Sequence, residues 1–314
     1  MRGGAGSAAG RESSAGGPFH EQIVDEHCRQ RPAGPLRPYV AHYVGYRQRG
    51  VPPARHRGLP SPFLTLIVTL DEPLVILAHP DPRQPPGEFG MLLGGLHSAP
   101  ALITHDGAQS GIQVALRPLG ARALLGLPAG ELAEIDVPAE AVLGGVCTEL
   151  RTRAVAAAGW PERFAILDEI LLRLITRGLI TRGLMTRAGP GPEAAPEVGW
   201  MWHQLLQAGG TIRIADLAAE TGWSGRHLTS RFRTEIGLTP KAAARVIRFD
   251  RARHLLVQKA DDGGYRLADL AAACGYFDQA HLAREFRLLA GCPPSQWLAE
   301  EVSQRGRDLA WTEE

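Results

Sequence analysis

The sequence predicts a multidomain α+β protein: a β-rich amino-terminal sandwich or barrel with a helical subdomain, followed by an all-α domain with two helix-turn-helix motifs. Three observations carry this reading. One pattern occurs twice between residues 212 and 301, short β-rich runs fill residues 38–117, and a Gly- and Pro-rich stretch at 189–196 parts the two textures. The expected boundaries are a disordered tail at 1–18, a β-rich domain with its helical subdomain at 19–188, a linker at 189–197, the helical domain at 198–302 and a tail at 303–314.

The repeated pattern is the most informative part of the chain. Ile214-Ala215-Asp216-Leu217-Ala218-Ala219 returns as Leu267-Ala268-Asp269-Leu270-Ala271-Ala272. The register continues through Gly222/Gly275, His227/His281, Leu228/Leu282, Phe232/Phe286, Gly237/Gly291 and Pro240/Pro294, at an offset of 53 residues that becomes 54 after one insertion. In the first copy Ile214, Leu217 and Ala218 share one face of a short helix that ends at Thr221-Gly222. Ser224 then caps a helix with Leu228, Phe232 and Ile236 on one stripe. The second copy has Leu267, Leu270 and Ala271, a turn at Gly275, a cap at Asp278 and a stripe of Leu282, Phe286 and Leu289.

Two short helices joined by a Gly-containing turn, the second with a polar outer face, are laid out to place a helix in a DNA major groove. The outward residues are Arg226, Thr229, Ser230 and Arg233 in one copy and Gln279, Ala280, Ala283, Arg284 and Arg287 in the other. A solvated helix face would suit any single one of these arginines equally well. His227 and His281 read as partners in the helix packing. Between the copies, Thr239-Pro240 signals a helix start. A helix over residues 240–258 would bury Val246, Phe249, Ala252 and Leu256, leave Lys241, Arg245, Arg248 and Arg251 elsewhere, and span about 28 Å. One turn of DNA advances about 34 Å, so this connector can hold two readers near successive major grooves.

These residues resemble the AraC-type family of bacterial transcriptional regulators. The resemblance rests on residues 215–232, Gly237-Leu238-Thr239-Pro240-Lys241, Arg248-Phe249-Asp250-Arg251-Ala252-Arg253, Ala268-Asp269-Leu270-Ala271, Gly275-Tyr276-Phe277-Asp278-Gln279, His281-Leu282, Phe286-Arg287 and Gly291-Cys292-Pro293-Pro294. It implies a seven-helix DNA-binding domain. By position it implies base contacts from Gly225, Arg226, Thr229 and Ser230 in the first recognition helix and from Gln279, Ala280, Ala283 and Arg284 in the second. Many members carry Arg or Gln near Thr229 and Ser230, so this first helix would read fewer bases, or read them through Arg226 and Arg233. The amino-terminal half resembles that of a subset of the same family in Pro38-Tyr39-Val40, Gly111-Ile112-Gln113-Val114 and Arg117-Pro118-Leu119-Gly120-Ala121.

Taken in order, the chain of 314 residues is long enough for two domains with cores of their own. Residues 1–18 are Gly, Ala and Ser with little to bury and no apolar segment of the secretory kind. Strands are expected at 63–70, 74–77, 89–93, 101–104 and 112–116, in a sandwich or small barrel. Helices follow at 132–135, 139–158 and 161–184, the last with an apolar stripe of Phe164, Leu167, Ile170, Leu171 and Leu174. Leu-Ile-Thr-Arg-Gly occurs twice within residues 174–188, with Leu-Met-Thr-Arg-Ala after it. Five residues advance about 500° around a helix, so no face stays apolar, and the repeat reads as a lengthened helix end. Residues 200–207 are expected to open the helical domain by packing Trp200, Leu205 and Leu206.

Composition excludes more than it identifies. Net charge is +1, and residues 200–300 hold 13 Lys and Arg against 10 Asp and Glu, so charge alone does not indicate a nucleic-acid partner. Two of the 34 basic residues are Lys, which reflects a GC-rich genome. Cys28, Cys147, Cys274 and Cys292 have neither disulfide-framework nor zinc spacing. No apolar run approaches the roughly 20 residues of a membrane helix. His20, His27, His42, His56, His79, His97 and His105 crowd the first half, but with no H-x-H pair and no Glu at ligand spacing they define no metal site. If two did bind metal, His97 and His105 would be the first choice.

The expected function is a cytoplasmic, sequence-specific DNA-binding transcriptional regulator without cofactor or enzymatic activity. Its readers are two helices on double-stranded DNA, and its β-rich half serves sensing or dimerisation. Further partners would be RNA polymerase, a second copy of the chain and a small-molecule effector of unknown identity. The alternative is a metal-binding cupin-like enzyme or sensor with an attached DNA-binding module. Against it, the sequence offers no nucleophile-and-base constellation and no phosphate-cradling Gly loop. A scaffold adaptor would not need two outward polar faces.

Overall fold

In a computed structural model of the chain, residues 23–185 and 194–305 are described. The tail at 1–18 lies outside them, as do residues 189–193 of the linker and residues 306–314. Ten strands form the amino-terminal half: β1 (Val24–Gln30), β2 (Val40–Arg49), β3 (Ala54–Gly58), β4 (Leu64–Thr69), β5 (Leu74–Ala78), β6 (Gly87–Phe89), β7 (Met91–Gly94), β8 (Ala101–His105), β9 (Gln109–Leu116) and β10 (Asp136–Pro138). They build two antiparallel sheets, one ordered β1-β2-β9-β4-β7-β10 and the other β3-β8-β5-β6.

Four helices accompany the sheets: α1 (Ala121–Leu124), α2 (Glu140–Leu143), α3 (Val146–Ala156) and α4 (Trp160–Met185). The expected stripe of α4 is what seals the larger sheet. Phe164, Leu167, Ile170 and Leu171 are buried against a core that includes Tyr43, Leu64, Leu66, Val68, Leu93, Ile112 and Val114. Tyr43 stacks on Phe164 at 5.7 Å, and its hydroxyl donates to Asp168 Oδ1 at 2.8 Å. Gly45 lies beneath the Trp160 ring, where a Cβ would come within 2.4 Å of the indole. The opposite face of the sheet is more open. Val44, Gln113 and Ile67 lie side by side there, and Gln113 is exposed although β9 is an inner strand.

Several expected elements need correction. Residues 132–135 are not helical: a 3-10 turn at Ala129–Leu132 gives way to Glu134 at φ 62° and then to β10, where Pro138 bars a helix interior. The helix at 139–158 is two helices, broken where Gly144 takes φ 59°. The run at 89–93 is divided at Gly90 between the two sheets. Strands β1 and β3 were not expected, because their sequences Val-Asp-Glu-His-Cys-Arg-Gln and Ala-Arg-His-Arg-Gly are polar; both are edge strands with a partner on one side only. The repeat at 174–188 does extend α4 as far as Met185.

Seven helices form the described carboxy-terminal part: α5 (Pro196–Gln207), α6 (Ile214–Thr221), α7 (Gly225–Ile236), α8 (Pro240–Asp261), α9 (Leu267–Ala273), α10 (Gln279–Ala290) and α11 (Pro294–Arg305). In α5 the buried face is Val198, Met201, Trp202 and Leu205, with Trp200 and Leu206 only half-buried, one step of the helix away from the expected packing. Connector α8 runs three residues beyond the expected end. Its 22 residues span about 33 Å, and Val246, Phe249, Ala252 and Leu256 are all buried as its periodicity requires.

Val246→Pro should remove one helix hydrogen bond and drive the ring into the carbonyl of Ala242, costing about 3 kcal/mol or more. Urea unfolding followed by far-UV circular dichroism measures this, and a variant of unchanged stability would contradict the description of α8 as a continuous buried helix.

Candidate nucleic-acid interface

Each of α7 and α10 follows a short helix, a left-handed glycine and a capping side chain. Gly222 takes φ 67° and Gly275 φ 71°, a backbone conformation that glycine adopts without steric cost. Ser224 Oγ accepts from the His227 amide at 3.3 Å, and Asp278 Oδ1 accepts from the His281 amide at 2.6 Å, so both expected caps form. Thr239 caps α8 in the same way, accepting from the Ala242 amide at 3.2 Å.

The helices are set by aromatic packing beneath them. Phe232 of α7 lies 6.2 Å from Trp202, while Phe286 of α10 lies 4.9 Å from Phe249 of α8 and 5.9 Å from Trp297 of α11. His227 meets Trp223 edge-on at 4.6 Å, and His281 meets Tyr276 edge-on at 5.3 Å, the packing role expected of both histidines. Two α8 arginines hold the second unit. Arg245 makes a bidentate pair with buried Glu285 at 2.9 and 3.0 Å, and Arg248 lies 5.2 Å over the Tyr276 ring while donating to the Gly275 carbonyl.

The expected site residues fall on two outward faces. Gly225, Arg226, Ser230 and Arg233 are exposed on α7, with Thr229 half-buried; Gln279, Ala280, Arg284 and Arg287 are exposed on α10, with Ala283 half-buried. The Thr229 hydroxyl donates to the Gly225 carbonyl at 2.8 Å, so its proton is held within the helix and its acceptor lone pairs remain. Among the described residues Arg226, Arg233, Arg284 and Arg287 make no ion pair, whereas Arg245 and Arg253 are paired with Glu285 and Asp250. These four lie on the exposed faces of α7 and α10.

The sequence did not reveal how closely the amino-terminal half grips the first reader. Arg122 of α1 forms a bidentate pair with Glu235 near the end of α7, at 2.7 and 2.8 Å. Glu235 is only 4% exposed, and the pair raises the Arg122 pKa above its ordinary value, the hydrogen bonds being the main cause. Gly130 packs on the last turn of α7 so tightly that a Cβ would meet the Thr234 carbonyl oxygen at 2.2 Å. Glu131 then borders the reading face, in a cleft of about 620 Å³ that also includes Arg226, Thr229, Ser230, Arg233, Thr234 and Thr239. A signal for this contact was present: Glu235 follows Phe232 by three positions, on the stripe that should be apolar, and a carboxylate there needs a buried partner.

The second reader is touched as well. Gly291 ends α10 against Pro100 and Arg57, and Arg57 pairs with Glu300 of α11. The helix-ending glycines Gly237 and Gly291, equivalent by the sequence repeat, therefore both rest on the amino-terminal half.

His20 lies outside the described residues, and the other histidines of the first half lie in different settings. His97 shares a 2.6 Å hydrogen bond with the Ala99 carbonyl, His105 faces His56, and His79 is bound to Asp136 at 2.7 Å. Among the described residues no three His, Cys, Asp or Glu side chains form a group that could hold a metal ion. Burial lowers the pKa of His42 and of His56 from the ordinary 6.5 to about 4.

What the fold and these faces define is a β-rich half of two antiparallel sheets joined to a helical unit with two helix-turn-helix motifs. Comparison with known proteins agrees. Residues 217–300 match a family described as a helix-turn-helix domain, and residues 29–138 match one described as a domain of unknown function (DUF6597). The chain is 37% identical over 71 residues to the uncharacterized HTH-type transcriptional regulator YbfI of Bacillus subtilis, covering 23% of this chain and 24% of that one. It is 33% identical over 91 residues to the HTH-type transcriptional regulator Rv1931c of Mycobacterium tuberculosis, covering 29% and 34%. The matched stretches thus span between a quarter and a third of the curated relatives. A crystal structure of unsaturated fatty acid bound ToxT from Vibrio cholerae superposes with a TM-score of 0.48 and 11% identity, over 86% of this chain and 96% of that one. The carboxy-terminal part of this chain is a helix-turn-helix domain of the AraC type.

Arg122→Ala should strand a buried carboxylate and lower stability by about 2–3 kcal/mol, less than for a fully enclosed pair because the Arg122 side chain is 22% exposed. Adding Glu235→Met should recover most of the loss in urea unfolding; failure of the second change to recover it would show that Arg122 acts through something other than Glu235. Acid supplies a second check. Below pH about 6.5 the unfolded chain takes up protons at His42 and His56 that the folded chain refuses until about pH 4, so stability is full above 6.5 and declines towards 4. Replacing both by Asn should flatten that decline; an unaltered slope would contradict it.

Proposed function

We propose that the chain is a sequence-specific DNA-binding transcriptional regulator that lays α7 and α10 in successive major grooves on one face of a duplex. The observation that carries this is the sorting of arginines. Arg245 and Arg253 are taken up in ion pairs and Arg248 packs on Tyr276, while among the described residues Arg226, Arg233, Arg284 and Arg287 make no ion pair and stand exposed on the outer faces of two equivalent helices joined by α8. Arg can donate two hydrogen bonds to guanine O6 and N7, and Gln can pair with adenine N6 and N7, so Arg226, Arg284 and Gln279 are suited to base edges. Arg233 lies about two turns past Arg226 and Arg287 lies just under a turn past Arg284, where phosphate contacts set register. Gly225, Thr229, Ser230, Ala280 and Ala283 line the same faces and allow close approach.

The amino-terminal half supplies control. It grips α7 through Arg122 and Gly130 and meets the end of α10 through Arg57, so an effector or a second copy of the chain that favours another arrangement of the halves would change what the readers present. The sheet face with half-buried Val44 and Ile67 and exposed Gln113 is the surface offered to such an effector. RNA polymerase is a further partner on this reading. Residues 19–188 and 198–302 are the two functional units, with 189–197 linking them. Among the described residues no helix is long and apolar enough to cross a membrane, in keeping with a place beside the genome in the cytoplasm. No cofactor and no catalytic step enter this reading.

Arg284→Ala is the discriminating substitution. Arg284 is exposed and makes no ion pair, so its removal should leave folding intact. As a base reader it should forfeit about 1–3 kcal/mol of discrimination at one or two adjacent base pairs. Binding selection over randomised duplexes with wild type and variant, followed by salt titration, reads this directly. An even loss across all sequences, with the salt slope reduced by about one, would make Arg284 a phosphate contact instead.

A further inference from the structure

The two helix-turn-helix units differ by one residue, and that residue is Phe277. In the first unit Gly222 and Trp223 lead straight to the cap Ser224; in the second, Gly275 and Tyr276 are followed by Phe277 and only then by the cap Asp278. This is the insertion that changes the repeat offset from 53 to 54. The packing role in the turn is already filled in both units, by Trp223 on His227 and by Tyr276 on His281. Phe277 adds nothing to that core: it is 93% exposed.

Its backbone is nevertheless fixed. The Phe277 amide donates to His281 Nδ1 at 3.4 Å, and the next residue caps α10. The ring thus stands outward at the amino-terminal end of the second reader, separated from Gln279 and Ala280 by the cap Asp278. Burying such a ring is favourable, and none of the described residues covers it. At this end of a recognition helix the facing surface is the base-pair edge, and the apolar feature there is the thymine 5-methyl, for which Phe and Ala are the matching side chains.

We infer that Phe277 is a specificity-determining residue of the second reader, packing on the 5-methyl group of a thymine beside the bases met by Gln279 and Ala280. The inference rests on the DNA-reading function proposed above and adds to it a contact that the first reader lacks. The side chain forms no hydrogen bond, so its discrimination lies in the methyl group alone.

The test uses the full-length chain and the site it selects from randomised duplexes. Each thymine of the half bound by α10 is replaced in turn by deoxyuridine, which removes the methyl group and leaves pairing unchanged. Wild type should lose roughly three- to tenfold in affinity at one position. Phe277→Ala should lose about as much on the unmodified site and be indifferent to deoxyuridine at that position, with thermal unfolding unchanged. Indifference of the wild type to every such replacement overturns the inference and needs no variant. So does a Phe277→Ala protein that keeps wild-type affinity, or one that still distinguishes thymine from deoxyuridine at the sensitive position. If the wild type selects no sequence at all, the reading function fails first, an outcome distinct from a selected site without methyl sensitivity.

Discussion

The packing of Phe286 between Phe249 and Trp297 is the contact on which the carboxy-terminal half depends. It attaches the second recognition helix to the connector α8, whose first residues follow directly from the end of the first recognition helix. A straight helix of 22 residues is close to one turn of DNA in length, and Arg245 with Glu285 prevents α10 from rolling against it. Two readers joined by a flexible chain would search independently. Joined by a buried helix, they present a fixed spacing, which is itself information about the sequence they can occupy.

The amino-terminal half is fastened to both readers at equivalent places. Gly237 and Gly291 terminate α7 and α10, and each lies against residues from the β-rich half, Ala129 and Ala133 in one case and Pro100 and Arg57 in the other. Glycine at both sites supplies the positive φ that ends each helix, and at Gly237 it also leaves room for the Ala129 carbonyl. The contact at α7 is the more committed, since it buries a carboxylate that Arg122 satisfies with two hydrogen bonds. Glu131 beside the reading face adds a negative charge where phosphates would approach. On the proposed function, control of this reader would come from moving the β-rich half.

What was legible in the sequence was local or periodic. The caps Ser224, Thr239 and Asp278 act over three residues, and the stripes of Leu228, Phe232 and Ile236 or of Leu282, Phe286 and Leu289 repeat every helical turn, so they stood out without knowledge of the rest. The outward position of the reader residues followed from those stripes. What was not legible depended on distant partners. Arg122 and Glu235 are separated by 113 positions, and β1 and β3 are polar segments made into strands by the neighbours they pair with. The mistaken helix at 132–135 shows the same limit: its apolar residues suit a helix, but Glu134 is held at a positive φ by the hydrogen bond its amide donates to the Leu96 carbonyl and by Ser98, which donates twice to its carboxylate.

The central claim is that one chain reads two major grooves at a spacing set by α8. Hydroxyl-radical footprinting of the full-length protein on its selected duplex tests it most directly. Two protected segments centred about 10–10.5 base pairs apart, on one face of the helix, are expected. A single protected segment, or two on opposite faces, would contradict it.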